Sequence, residues 1–340
     1  MPETHEGNPV ADVSDSADVR RTEGAGIDRR TAVRRSSEQV FNELQRLARA
    51  EGRTTGGPVA TQAYLTRHIL ESFLARLAIT GHARQFVLKG GLLMGAYAVR
   101  RPTKDVDSNA IGVRVSEESL TRIAREVAAL DVADGVVFDA GRLTLETIRE
   151  QVGYRGIRLR MPATISSARG ELAWDVSSGD PIVPPPRLIE LQRVLGDPIP
   201  IWSYAPETAI AEKVVTLLER GIASTRWRDY VDIVQLHRGQ RTDPAALREA
   251  LEAVAHYRNV ELRAVETVVD GYGAASQVKW AAWRRKNGAQ DLCEQLLDDQ
   301  MRLIAHVLNP MLTADLHTPA AQQSTLRRGP ALTLRDRRQP

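Results

Sequence analysis

The chain has almost no cysteine. A lone Cys293 among 340 residues excludes a disulfide framework and a multi-cysteine zinc site. Its 7 histidines show no metal-ligand spacing. No apolar run approaches the roughly 18 to 20 residues needed to span a bilayer, so no membrane association is expected. The N-terminus, MPETHEGNPVADVSDS, lacks the basic start and apolar stretch of a secretory signal, and a cytoplasmic protein is expected. Net charge is also scarce, with 46 Lys+Arg against 43 Asp+Glu. Residues 318–340 hold five Arg and one Asp, residues 1–36 hold six Arg and seven acidic residues, and the remaining stretch balances at 35 of each sign. The pI of about 9.1 therefore comes mostly from a tail, and global charge does not argue for a nucleic-acid partner.

What is present is a soluble, globular composition, 42% hydrophobic and 26% charged. The length suits two domains, or one core with a helical appendage. Residues 1–36 carry too few large apolar side chains to repay their ordering entropy, so a disordered N-terminal segment is expected. Residues 37–200 mix helical and strand periodicities and read as an α/β (α+β) domain. Ser36 or Ser37 would cap a first helix, Val59 to Ile79 a second, and Ser116 would open another. Strands are expected at Phe86–Leu88, Arg101–Ile111 and Leu172–Val176, and weaker alternation runs through 135–161. From Pro206, which suits a first helical turn, residues 201–317 read as an all-helical C-terminal domain. Residues 318–340 would be a basic mobile tail.

Chemistry concentrates in FVLKGGLLMGAYAVRRPTKDVDSN, Phe86 to Asn109. Gly90 and Gly91, after a strand and before a helix, would let phosphate approach backbone N–H groups closely. In the following strand Thr103, Asp105, Asp107 and Asn109 share one face, so the two carboxylates, about 6.6 to 7 Å apart at Cα, can converge on metal. Asp175 lies opposite the apolar stripe of Leu172, Trp174 and Val176, and would add a third carboxylate if the strands are neighbours. Three carboxylates around two Mg²⁺ ions suit phosphoryl or nucleotidyl transfer. In the helical region, Arg226, Asp229 and Tyr230 are spaced to share a helix face, and Lys213 on one helix would pair with Asp229 on the next, holding an ammonium toward a triphosphate. Only 5 residues are Lys, and three of them, Lys89, Lys104 and Lys213, fall in these stretches. A compact ammonium at phosphate is not equivalent to guanidinium. Trp280 and Trp283 beside Lys279 and Arg284-Arg285-Lys286 suggest either a basic-aromatic RNA surface or a packed helix with a solvated end.

Taken in order, Leu88-Lys89-Gly90-Gly91, Arg101-Pro102-Thr103-Lys104-Asp105-Val106-Asp107, Trp174-Asp175-Val176 with Gly179-Asp180-Pro181, and Ala211-Glu212-Lys213 with Ser224 to Asp232 resemble the AbiEii/AbiGii family of nucleotidyltransferase toxins, including the MenT-type toxins. The resemblance implies a nucleotidyltransferase fold, with a short mixed sheet flanked by helices and a helical C-terminal region closing the cleft. It implies that Lys89, Gly90, Gly91, Thr103 and Arg226 serve nucleotide binding. Asp105 and Asp107, with Asp175, would hold Mg²⁺, and Asp105, Asp107, Lys213 and Asp229 would form the catalytic group. It further implies transfer of NMP from an NTP to an RNA acceptor, in some relatives the tRNA 3′ end, blocking translation, with a cognate antitoxin as partner. The alternatives are transfer to a protein or small molecule, or a silent NTP-binding module. One position departs from many nucleotidyltransferases: Leu92 replaces the Ser or Thr that often follows the glycine pair.

Overall fold

The computed structural model describes residues 35–57, 59–97, 103–151 and 154–313. Apart from Arg35 and Ser36, the N-terminal segment 1–36 lies outside the described residues, as do residues 318–340. In chain order the elements are α1 (Ser37–Thr55), α2 (Thr61–Ala78), β1 (Phe86–Lys89), α3 (Gly90–Ala96), β2 (Val106–Ala110), α4 (Glu117–Ala128), β3 (Val136–Phe138), β4 (Thr144–Gln151), β5 (Tyr154–Ile165), β6 (Ala168–Ser178), β7 (Arg187–Leu191) and β8 (Ile199–Ser203). They continue as α5 (Pro206–Arg220), α6 (Trp227–Gly239), α7 (Pro244–Arg258), α8 (Val265–Val269), α9 (Tyr272–Lys286) and α10 (Leu297–Leu312).

Helix starts follow the cap chemistry. Ser36 and Ser116 each close a capping box, with Gln39 and Ser119 as the reciprocal partners. Pro206 occupies the first turn of α5, where its missing N–H is no loss. Asp243 caps α7 just ahead of Pro244. Of the strand expected at Arg101–Ile111, Arg101 and Pro102 lie outside the described residues, and the described part forms a strand only from Val106 to Ala110. Thr103 Oγ1 donates to the Asp105 carbonyl at 3.2 Å, a local bond that competes with a ladder and leaves Thr103 to Asp105 as a loop.

Described strands form one mixed sheet in the order β3-β5-β6-β2-β1-β8-β7, with β4 beside β5. β1 and β2 are antiparallel, while β2 with β6 and β1 with β8 run parallel. The boundary expected at 200/201 falls inside β8, so the strand that joins the sheet leads directly into α5. Trp174 centres the core on one face, its ring 5.0 Å from Phe73 of α2 and 4.7 Å from Phe86 of β1. Period-two alternation then turns its neighbour Asp175 to the other face. The register sets Asp107 directly beside Asp175 and Lys89 directly beside Asp107. Three parallel or antiparallel neighbours thus deliver the polar side chains of the site. Among the described residues no helix is long and apolar enough to cross a membrane.

Candidate active site

The face opposite Trp174 gathers Asp105, Asp107 and Asp175, with one carboxylate oxygen of each within 4.8 Å of the others. Asp105 ends the loop before β2, and Thr103 Oγ1 donates to its Oδ1 at 3.1 Å. Burial, with Asp105 and Asp175 close by, pushes Asp107 up to about 7; Lys89 and the Gly91 N–H pull the other way. Hard oxygen donors clustered under mutual repulsion are a donor set that suits a hard divalent cation.

The two glycines are demanded by this crowding. Gly90 has φ +65°, and a Cβ there would collide with the Asp107 carboxylate. A Cβ on Gly91 would sit 2.5 Å from Thr103 Oγ1. Gly91 N–H points at Asp107 Oδ2 across 3.4 Å. Gly90→Ala is expected to cost about 1–2 kcal/mol from the left-handed backbone alone and to displace Asp107. Nucleotide transfer should then fall at least about tenfold while thermal denaturation shows a folded protein.

Across the cleft, α5 supplies Lys213 and the residue just before α6 supplies Arg226, both paired with carboxylates of α6. Lys213 Nζ contacts Asp229 Oδ1 at 2.7 Å and Asp232 Oδ2 at 2.9 Å. Arg226 Nε donates to Asp229 Oδ2 at 2.6 Å. Arg226 precedes α6 rather than riding on its face, and Tyr230 turns into the core against Tyr272, so only Asp229 of that expected trio projects from the helix into the site. Burial raises the Asp229 carboxyl, but Lys213 and Arg226 outweigh it and hold the group down at about 2. One cavity is lined by Gly90 and Asp107 on the sheet side and by Lys213, Arg226, Asp229 and Arg258 on the helical side.

Several participants escaped the sequence reading. Tyr204, just after β8, donates to Glu212 Oε1 at 2.8 Å and accepts from Asn109 Nδ2 at 2.9 Å. Lys89 Nζ reaches the same Glu212 oxygen at 3.3 Å. Arg258, the last residue of α7, grips both Asp180 oxygens at 3.0 and 2.9 Å and donates to Thr216 Oγ1 at 2.9 Å. Arg158 of β5 binds both oxygens of Asp175. Asn109, Lys89, Glu212, Asp180 and Asp175 stood in the quoted stretches; Tyr204, Arg258 and Arg158 carried no sequence signal and depend on pairing between distant segments.

Acidic and basic groups facing each other over a glycine turn, on a mixed sheet flanked by helices, define a nucleotidyltransferase. The model of the AbiEii nucleotidyl transferase toxin family, of Type IV toxin–antitoxin systems, matches residues 72–299. The chain belongs to that family. It is thus an enzyme whose family implies an NTP substrate and an antitoxin partner. Solved structures similar to it include JHP933 from Helicobacter pylori, at 14% identity and TM-score 0.43, covering 78% of this chain and 99% of that one. Another is an antigenic nucleotidyltransferase-like protein from Paracoccidioides brasiliensis, at 11% identity and TM-score 0.30, covering 56% of this chain and 89% of that one. No curated protein matches the chain.

Proposed function

We propose that the enzyme transfers NMP from an NTP to an RNA acceptor at the tRNA 3′ end, with Mg²⁺ at Asp105 and Asp107, and that this modification blocks translation. The observation that carries the reading is the opposition, across one cavity, of Asp107 and the Lys213–Arg226–Asp229 group. In the reaction the acceptor hydroxyl gives up its proton to water and its oxygen bonds to the α-phosphorus, as the bond from that phosphorus to the α–β bridging oxygen breaks and pyrophosphate leaves. Mg²⁺ held by the carboxylates would supply Lewis-acid stabilisation of the phosphoryl oxygens. Lys213 and Arg226 present positive charge to the triphosphate, and Asp229 and Asp232 fix the ammonium. The Gly90-Gly91 turn admits the phosphates, and Lys89, steadied by Glu212, faces them from β1. With Leu92 buried at the position of the frequent hydroxyl, phosphate contact falls to backbone amides and these cations.

An RNA acceptor would be held by the lysines of α9 rather than by its tryptophans, because Trp280 is buried in the core. Lys279, Trp283 and Lys286 recur at i, i+4 and i+7 on α9 and share one side. Trp283 stacks on Trp280 at 5.3 Å and meets Trp227 edge-on at 6.3 Å. At Trp227, α9 thus meets the residue that follows Arg226, which lines the cavity. Arg284, between the tryptophan and the basic end, is instead turned inward onto the Gln290 and Cys293 carbonyls. Replacing Lys279 and Lys286 together by Glu is expected to lower RNA labelling about tenfold. The slope of log affinity against log salt should flatten by about 1 to 2, with NTP binding retained.

Incubation with each α-labelled NTP and total tRNA tests the function. Label should enter RNA with at least one NTP and should not with Asp105→Ala. Label that migrates with protein or with a small organic product would instead establish a different acceptor, and absence of any product would mark a silent NTP-binding module.

A further inference from the structure

Arg158 on β5 lies directly opposite Asp175 on β6 in the antiparallel register. Its Nε donates to Asp175 Oδ1 at 2.6 Å, and its Nη2 closes a second bond onto Asp175 Oδ2. The same Nη2 stands 3.9 Å from Asp105 Oδ2. The arrangement is part of the strand, not a surface accident. Ile157 and Leu159 point into the core on either side, so alternation aims Arg158 at the acidic face. A fork-on-fork pair of this kind is directional as well as charged.

We propose that Arg158 stands in for a second cation, neutralising Asp175 and leaning toward Asp105, so that the site holds one divalent ion on Asp105 and Asp107 rather than two shared among all three carboxylates. The proposal rests on reading the acidic cluster as a metal site. Charge supports it. Asp175 with Arg158 sums to zero, as does Lys89 with Glu212, and Asp105 with Asp107 sums to −2, which one divalent ion balances. A second ion seated between Asp105 and Asp175 would meet a guanidinium already within hydrogen-bonding range of one and about 4 Å from the other. Arginine cannot shed its proton to make room. Arg158 is on this account a positioning residue, acting through Asp175 and the local field and not on the reacting atoms.

Metal stoichiometry decides the matter independently of turnover. The full chain without nucleotide is titrated with Mn²⁺ and followed by electron paramagnetic resonance and equilibrium dialysis. One Mn²⁺ per wild-type chain is expected, with a spectrum free of spin coupling between neighbouring ions. Arg158→Lys should keep one ion. Arg158→Gln should admit a second, with the broadened spectrum of a coupled pair, and adding Asp175→Asn to it should return the count to one. Two ions in the wild-type chain, or a count unchanged in Arg158→Gln, would overturn the proposal. If Arg158→Gln fails to fold, the wild-type count still decides between one ion and two. Absence of Mn²⁺ binding in both wild type and Arg158→Gln would instead refute the metal-site reading, and the proposal with it.

Discussion

Asp107→Asn is expected to abolish transfer and, at the same time, to make the metal-free protein more stable. Loss of a metal-holding carboxylate removes several kcal/mol of charge stabilisation from the reaction, which corresponds to at least about a thousandfold in rate. The stability gain follows from the Asp107 carboxyl, pushed up to about 7 by burial beside Asp105 and Asp175. A carboxyl raised in the folded state favours folding only while it keeps its proton. The penalty is therefore absent below about pH 4, grows as pH rises, and is complete above about 7. At pH 8 the variant should exceed wild type by about 2 kcal/mol or more, against an upper limit near 4 from a three-unit shift. The two should converge at pH 4. Mg²⁺ should raise the wild-type melting temperature and leave that of Asp107→Asn nearly unchanged, by mass action on the folded state. Thermal melts from pH 4 to 8, with and without Mg²⁺, read all of this. A wild-type protein already as stable as the variant at pH 8 without metal would contradict it.

How much of this was legible in the sequence depends on how far each feature reaches along the chain. Local chemistry was readable: Ser36 and Ser116 announce their helices by capping, and Pro206 marks the start of α5. The i, i+2 spacing of Asp105 and Asp107, and the placing of Asp175 opposite Trp174, also needed only neighbouring residues. The structure brings those three together, and it joins Lys213 to Asp229 as the charge pattern suggested. What stayed hidden needs register or burial. Arg158 shows an ordinary alternation with Ile157 and Leu159; its role exists only because β5 and β6 pair residue 158 with 175. β7 and β8 were missed because prolines at 184–186, 198 and 200 mask the strand pattern. With β8 missed, Tyr204 and its bond to Glu212 could not be inferred. Arg258 sits in a helix with no nearby motif, and reaches Asp180 only through the packing of α7 against α5.

Lys213→Met carries the other large effect, because it damages the fold and the chemistry together. Lys213 Nζ bridges Asp229 and Asp232, whose side chains are 8% and 1% exposed. Removing one partner of a buried ion pair typically costs about 3–5 kcal/mol, since the surviving charges lose their compensation. Here two carboxylates on one turn of α6 lose the ammonium that bridges them, while Arg226 stays on Asp229. The pH dependence gives the effect a signature. In wild type, Asp229 is held down at about 2, so its contribution is present above about pH 4 and is lost as pH falls toward 2. Without the ammonium, the Asp229 carboxyl loses the larger of the charges that oppose its burial, and it moves up. The variant should then gain stability on acidification from pH 7 to pH 5, where wild type does not. Asp232→Asn in the same background should recover part of the stability but none of the transfer, because the triphosphate has still lost its ammonium. Chemical denaturation at pH 5 and 7, with α-labelled NTP transfer on the folded fraction, separates the two losses. Lys213→Met that kept wild-type transfer would remove Lys213 from the chemistry and leave it as a strut between α5 and α6.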